Sequence, residues 1–323
     1  MPTHPQPLVT IGLPVFSPGP FLRGALQSIF AQTFTDWELI VVDDGSTDFS
    51  WQMVQHLSDP RVRAFRDGHH RGLAARLNQI IGLARAPFIA RMDADDLCHP
   101  ERIERQLAHL QAHSEIDTLS TGLAVLDRQG AVSGWRVAPP DHESICRNPL
   151  RGFAMVHASM LSRADWARRH PYREGNRRCE DWELLMQAHR DSRFANLPDC
   201  LYFYREYDSF SFVNYARSKA HQVAGELRLG HDYGILSRAV SALRHFSHVG
   251  LYACAYTLRC HDLLIRYRSQ PAPPELKSAV ENAIARVAAT ELPDGTLRQA
   301  ESTPQYLPAS ERAVGTFEIR PFR

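Results

Sequence analysis

Residues 87 to 96 read P-F-I-A-R-M-D-A-D-D, and residues 37 to 48 read W-E-L-I-V-V-D-D-G-S-T-D. In each, an unbroken apolar run passes directly into a cluster of carboxylates. Unbroken runs, unlike alternating ones, predict strands buried on both faces, as in a parallel sheet covered by helices. The flanking sequence agrees. Leu8 to Val15 is a third such run, closed by the breaker S-P-G-P at residues 17 to 20, and Arg61 to Phe65 is a shorter fourth. Phe21 to Gln32 and Arg71 to Arg85 carry apolar residues at helical spacing, and Glu101 to Ala112 follows the second cluster as another helix. A short helix over Phe49 to Leu57 has Ser46 or Thr47 as its expected cap. The predicted fold is α/β, with a mostly parallel central sheet and helices on both faces. Ligands of such sheets sit beyond the carboxyl ends of the strands, where both acidic clusters fall.

Farther along, Thr118 to Leu126 and Ala131 to Val137 predict a hairpin, and Met155 to Leu161 a strand. Glu180 opens a helix running through His189, and Leu201 to Tyr204 is a short aromatic strand. After Asn214 the pattern turns helical, over about Tyr215 to Leu229, Ser237 to His245, Leu251 to Arg268 and Pro274 to Ala289. From Leu292 the tail has little periodicity. The expected division is a core over 1–212, a helical appendage over 213–291 and an irregular tail over 292–323.

The chain has 323 residues, with 37 Lys+Arg against 36 Asp+Glu and a formal charge of +1. That balance argues against nucleic acid as a partner. Only Lys219 and Lys277 are lysines, so the basic side is almost all arginine, the residue whose rigid fork suits phosphate and carboxylate. Six cysteines form no C-x-x-C pair, so reduced thiols are expected rather than a zinc knuckle or a disulfide framework. The first residues do not read as a signal peptide, and no apolar run is long enough to span a bilayer. A cytoplasmic location is the expectation.

Three groups carry chemistry. In Asp93-Ala94-Asp95-Asp96, carboxylates separated by one small residue can converge on a hard divalent cation such as Mg²⁺ or Mn²⁺, which takes oxygen ligands. A polar loop capping the next helix accounts for the same residues. Asp43-Asp44-Gly45-Ser46 can accept hydrogen bonds from a nucleobase or ribose, and equally can form a turn. Glu180-Asp181-Trp182 can supply a general base whose pKa is raised by its neighbour, or can be acids favoured at a helix N-terminus.

Taken in order, V-T-I-G-L-P-V-F (9 to 16), W-E-L-I-V-V-D-D-G-S-T-D (37 to 48), R-G-L-A-A-R-L-N (71 to 78) and P-F-I-A-R-M-D-A-D-D (87 to 96) resemble the family 2 glycosyltransferases. The resemblance covers roughly residues 7 to 210 and implies a GT-A, Rossmann-like fold. It also implies an inverting transfer of a sugar from a nucleotide-diphosphate sugar, UDP-linked on family grounds, to a hydroxyl of a glycan or lipid-linked acceptor. Bacterial surface polysaccharide synthesis is the implied setting. By the same resemblance, Pro14, Val15 and Phe16 line the base pocket, and one of Asp43 and Asp44 contacts base or ribose. Arg71, Gly72, Asp93 and Ala94 lie along the nucleotide. Asp95 leads as ligand to Mn²⁺ or Mg²⁺, with Asp93 beside it and Asp96 as a substitute. Glu180-Asp181-Trp182-Glu183-Leu184 matches the family's E-D-aromatic-x-L segment, which makes Asp181 the base and Glu180 its orienting partner. His157 and Trp182 are expected on the acceptor side.

The chain departs from the family pattern at Phe16-Ser17, at His70, and at Tyr207, which stands where a histidine is usual. Tyr207 puts a third protein ligand to the metal in doubt and leaves room for a catalytically silent scaffold of the same fold. A sugar nucleotidyltransferase would need a glycine- and lysine-rich loop after the first strand, and residues 12 to 23 contain no lysine. The segment from Arg244 to Arg268 mixes apolar, His and Arg residues and is a candidate peripheral membrane contact.

Overall fold

A computed structural model describes residues 6–127, 129–175, 178–206, 211–258 and 269–293. Its centre is a nine-stranded sheet in the order β3-β2-β1-β4-β8-β6-β9-β5, with β7 paired to β6. The three predicted strands β1 (Val9–Val15), β2 (Trp37–Asp43) and β4 (Phe88–Arg91) lie side by side and parallel, with β1 in the middle; β3 (Val62–Arg66) adds the outer edge. Every residue of β1, β2 and β4 is buried, as their unbroken apolar character requires. α1 (Phe21–Phe30), α2 (Ser50–Gln55) and α4 (Arg102–Ala112) contribute Leu22, Val54 and Leu107 to the core on one face. On the other face lie α3 (Leu73–Leu83), α6 (Ala164–Arg169) and α7 (Glu180–Ala188), through Leu77, Trp166 and Leu185.

The second half of the sheet is mixed. β5 (Leu97–Cys98) runs antiparallel to β9 (Phe194–Arg205), while β6 (Thr118–Leu126) pairs antiparallel with β7 (Val132–Arg136) and parallel with β9. The predicted hairpin is thus present as β6–β7. β9 begins seven residues before the expected Leu201, because Pro198 and Asp199 hide its start; the register against β6 shifts around Gly122, where a Cβ would come within 3.1 Å of the Pro198 carbonyl oxygen. The strand expected over 155–161 is instead a 3₁₀ turn, His157–Ser159, before the short β8 (Leu161–Arg163). There the side chains of Ser120 and Ser159 take the backbone N–H groups of Val156 and Thr121 in place of a ladder. α5 (His142–Ile145) completes this region, capped by Asp141.

α8 (Phe212–Leu229) and α9 (Ile235–Thr257) form an antiparallel pair beyond the sheet. α9 is one helix where the sequence predicts two, since a lone Gly250 costs only about 1 kcal/mol in a helix held by packing. α10 (Pro274–Ala288) does not stay with that pair. It returns to the core, packing Val280, Ala283 and Val287 on Leu97, Leu126 and Phe203. Gln27 of α1 also donates to the Thr290 carbonyl at 2.9 Å. The described part of 213–291 is therefore split between a helical pair and a core helix; residues 259–268, the end of the helix expected from Leu251, lie outside the described residues. No helix among the described residues is long and apolar enough to cross a membrane.

Candidate active site

Two cavities open along the carboxyl edge of β1, β2 and β4, and Leu73 lines both. The smaller, about 240 Å³, is walled by Pro14, Val15, Phe16, Asp44, Gly72 and Arg76. The Phe16 ring, half exposed, stacks on His70 with centroids 4.2 Å apart, and offers an aromatic face of the kind on which a planar ring stacks. Asp44 belongs to this wall and Asp43 does not. Asp43 is folded back into its own turn, accepting from the N–H groups of Gly45 and Ser46 and pairing with Arg66 at 3.1 Å. Ser46, expected to cap α2, instead accepts from the Ser17 N–H at 2.9 Å; Asp48 takes the Ser50 N–H at the start of that helix.

Asp44 is heavily engaged. One carboxylate oxygen accepts from Arg71 N–H at 2.7 Å and Arg76 Nε at 2.7 Å; the other accepts from Gly72 N–H at 2.9 Å and lies 2.9 Å from His70 Nδ1. That fills the four lone-pair sites of a carboxylate. His70, whose side chain is 57% exposed, is the side-chain partner a ligand could displace, since Arg76 is buried. Gly72 sits at φ +91°, which only glycine adopts without strain, and this lets the chain enter α3 with two successive N–H groups aimed at Asp44. Arg76 is wholly buried and binds Asp67 as well, at 2.7 Å. The sequence reading missed Arg76; its signal was its place one helical turn after Gly72.

The acidic cluster after β4 is different. Ligand oxygens of Asp93, Asp95 and Asp96 lie within 4.8 Å of one another. Asp93 is paired to buried Arg91 at 2.7 Å, and Asp96 accepts the Arg205 N–H at 2.9 Å while its second oxygen is sealed from solvent. Burial first, and then the charge of Asp93, pushes the Asp95 carboxyl up to about 6. Burial and both neighbours push Asp96 well above the usual carboxylate range. An all-oxygen donor set whose members repel one another fits Mn²⁺ or Mg²⁺, and a bound cation would relieve that repulsion. Ala94, expected along the nucleotide, is buried in the core beneath the cluster.

The larger cavity, about 610 Å³, brings Asp93 together with Glu180 and Asp181, which are 87 and 88 positions later in the chain. Cys179 enters α7 in the left-handed region at φ 61°, a conformation that costs about 1–3 kcal/mol, and so sets both acids at the start of the helix. Glu183, one turn on, is taken by Arg228 and lies 3.6 Å from Arg173, so of the three acids of this turn it is the structural one. Asp181 accepts its neighbour's N–H, from Trp182, at 2.7 Å. Burial, and then the Asp181 charge, pushes Glu180 up to about 7. His157 also lines this cavity, hydrogen bonded to the Tyr172 hydroxyl at 2.7 Å, and burial keeps its imidazole well below the ordinary value and hence neutral. The Tyr172 backbone is held by Asn78, the last residue of the R-G-L-A-A-R-L-N segment, through bonds of 2.7 and 2.8 Å.

Trp182, expected on the acceptor side, does not line the larger cavity. Its indole is buried, donates to the Pro149 carbonyl at 2.8 Å and lies against α8, where a Cβ on Gly225 would come within 2.6 Å of the ring. Arg91, Tyr172, Arg178 and Asn214 were not anticipated, because α3, α7 and α8 meet only in three dimensions. Tyr207 lies outside the described residues.

A sequence profile described as Glycosyl transferase family 2 matches residues 10–164. The Bacillus subtilis (strain 168) protein EpsE, assigned as a glycosyltransferase, is 34% identical over 214 residues, spanning 64% of this chain and 75% of its own. Among solved structures, Staphylococcus aureus TarS 1–349 in complex with UDP superposes with a TM-score of 0.56 at 16% identity, covering 86% of this chain and 79% of that one. The mannosyltransferase PcManGT from Pyrobaculum calidifontis, in complex with GDP-Man and Mn²⁺, does so with a TM-score of 0.54 at 16% identity, covering 89% and 87%. With a GT-A fold and these relatives, the chain belongs to glycosyl transferase family 2.

Proposed function

We propose that the chain is a metal-dependent, inverting glycosyltransferase that moves one sugar from a UDP-linked donor to a hydroxyl of a glycan or lipid-linked acceptor. One observation carries the reading: the two cavities adjoin at Leu73, with a base-sized slot on one side and two separate carboxylate groups on the other. The slot bounded by Phe16, Asp44 and Arg76 receives the nucleoside. Asp95 and Asp93, with Asp96 behind them, hold the divalent cation. When bound, that cation supplies charge neutralisation to the departing diphosphate.

Across the larger cavity, Asp181 takes the proton of the acceptor hydroxyl as its oxygen bonds to the anomeric carbon and the bond to the donor phosphate breaks. Attack from the side opposite the leaving group inverts that carbon. Glu180, beside it at the start of α7, orients the base and the acceptor. The UDP assignment is supported by the fold shared with the TarS–UDP complex; PcManGT, with GDP-Man, has the same fold, so the nucleotide is a point of test. Asp181→Asn should abolish transfer of sugar from UDP-sugars while UDP binding by calorimetry stays within about twofold. Unchanged transfer would remove Asp181 as the base, and binding of GDP in preference to UDP would overturn the donor assignment.

A further inference from the structure

α9 presents one wide face that nothing among the described residues covers. Ile235, Leu236, Leu243 and Phe246 are 80, 75, 70 and 67% exposed. At about 100° per residue, these four, with Val240 and Leu251, fall within an arc of roughly 160° that contains no charged side chain. Scattered exposed apolar residues are ordinary; a continuous stripe along most of a helix of about 34 Å is an interaction surface. The opposite face of α9 is spent on α8, through buried Ser241, His245, Tyr252 and Ala255.

The rim of the stripe is basic. Arg147 and Arg151, after α5, and Arg244 of α9 line a cavity of about 470 Å³ together with Leu236 and Val240, and no acidic residue lines it. None of these three arginines forms an ion pair among the described residues. Burial, and then the nearby Arg151 charge, holds Arg244 below its ordinary value, against the opposing pull of buried Glu226. An uncharged apolar face bordered by three guanidiniums that form no ion pair among the described residues is complementary to a lipid interface, with acyl chains below and phosphates at its edge.

We propose that α9 docks this chain on an anionic membrane surface, its apolar stripe entering the acyl boundary while Arg147, Arg151 and Arg244 meet lipid phosphates. The C-terminal half of α9 stacks on the start of α8, Tyr252 on Tyr215 at 4.3 Å and Tyr256 on Phe212 at 5.9 Å. Asn214, Tyr215 and Ser218 of α8 line the larger cavity. Docking therefore brings the acceptor side of the site beside the lipid surface. The surface itself stands without the transferase reading; only this consequence rests on it.

The test is co-flotation of the full chain with vesicles of phosphatidylcholine alone, or with one lipid in three replaced by phosphatidylglycerol. Partition onto the anionic vesicles should be stronger on the order of a hundredfold, roughly a factor of five for each arginine, and should weaken with salt. Leu243→Asp combined with Phe246→Asp, both on the exposed side, should abolish flotation while UDP binding persists. Arg147→Gln, Arg151→Gln and Arg244→Gln together should remove the preference for anionic lipid. Absence of flotation on either vesicle overturns the proposal. So does a dimer in velocity sedimentation that the Leu243/Phe246 variant splits while no vesicle binds, since a second copy would then cover the stripe.

Discussion

Asp43–Asp44 and Asp93–Asp95–Asp96 follow the two strands that flank β1, and the sequence presents them alike. Their physical states are opposite. Asp44 has four partners, one of them the buried Arg76, and Asp43 is closed into its own turn. Of the three acids after β4, Asp93 is paired with Arg91, and Asp95 and Asp96 are pushed above the usual carboxylate range by burial and by their neighbours. What an acidic strand end does is thus decided by how many donors the rest of the chain delivers to it. Where donors are supplied, the carboxylate builds the pocket. Where they are withheld, the carboxylates stay crowded together, and it is there that we propose the cation binds.

Four substitutions would break or sharpen that contrast. Asp95→Ala should lower metal-supported transfer about a thousandfold or more, because the cation contributes several kcal/mol to stabilising the leaving group. The same variant, free of metal, should melt no lower than the parent, since it relieves repulsion; a lower Tm would mean that the cluster is structural. Asp44→Ala should do the reverse to stability, costing about 3 kcal/mol in denaturant unfolding by leaving Arg76 short of a buried partner. A neutral effect would show that Asp67 alone can hold that guanidinium.

The third concerns the Glu180–Asp181 pair. Glu180 is held near 7, above its ordinary 4.5, so the folded state favours its protonated form. The stability it contributes is complete below the ordinary value and is lost as pH rises through about 7. Glu180→Gln should move the acid limb of the kcat/KM profile away from 7, because the group raised to that value is Glu180 itself. A limb that stays near 7 would assign it elsewhere. The smallest effect is expected at Asp67. The Arg76 hydrogen bond, then the His69 N–H, holds its carboxyl below the usual range. That stabilisation is present above the ordinary value near 3.8 and fades as pH falls. Asp67→Asn should slightly flatten the acid side of a Tm-versus-pH curve.

The parallel half of the fold was legible because each of its strands is a closed apolar run and each helix keeps its spacing. Leu39 to Val42 and Phe88 to Met92 announce both burial and direction by ending in acid. The mixed half was less so. Pro198 masks the start of β9, serine side chains replace a ladder at 156–159, and Gly250 reads as a break that helix packing overrides. In the site, residue types were legible and their partners were not. Nothing near Asp44 in sequence says that Arg76 will saturate it, nor that Glu183 will be neutralised by Arg228 while Glu180 and Asp181 face the cavity. Ala94 and Trp182 were read from motif position, and each turns its side chain into the core.

The measurement closest to the central claim is calorimetric titration of UDP into the full chain, once with Mn²⁺ and once with chelator, repeated on Asp95→Ala. The account predicts binding at least tenfold tighter with Mn²⁺ in the parent, and no metal dependence in the variant. Equal affinity with and without Mn²⁺ in the parent would contradict it.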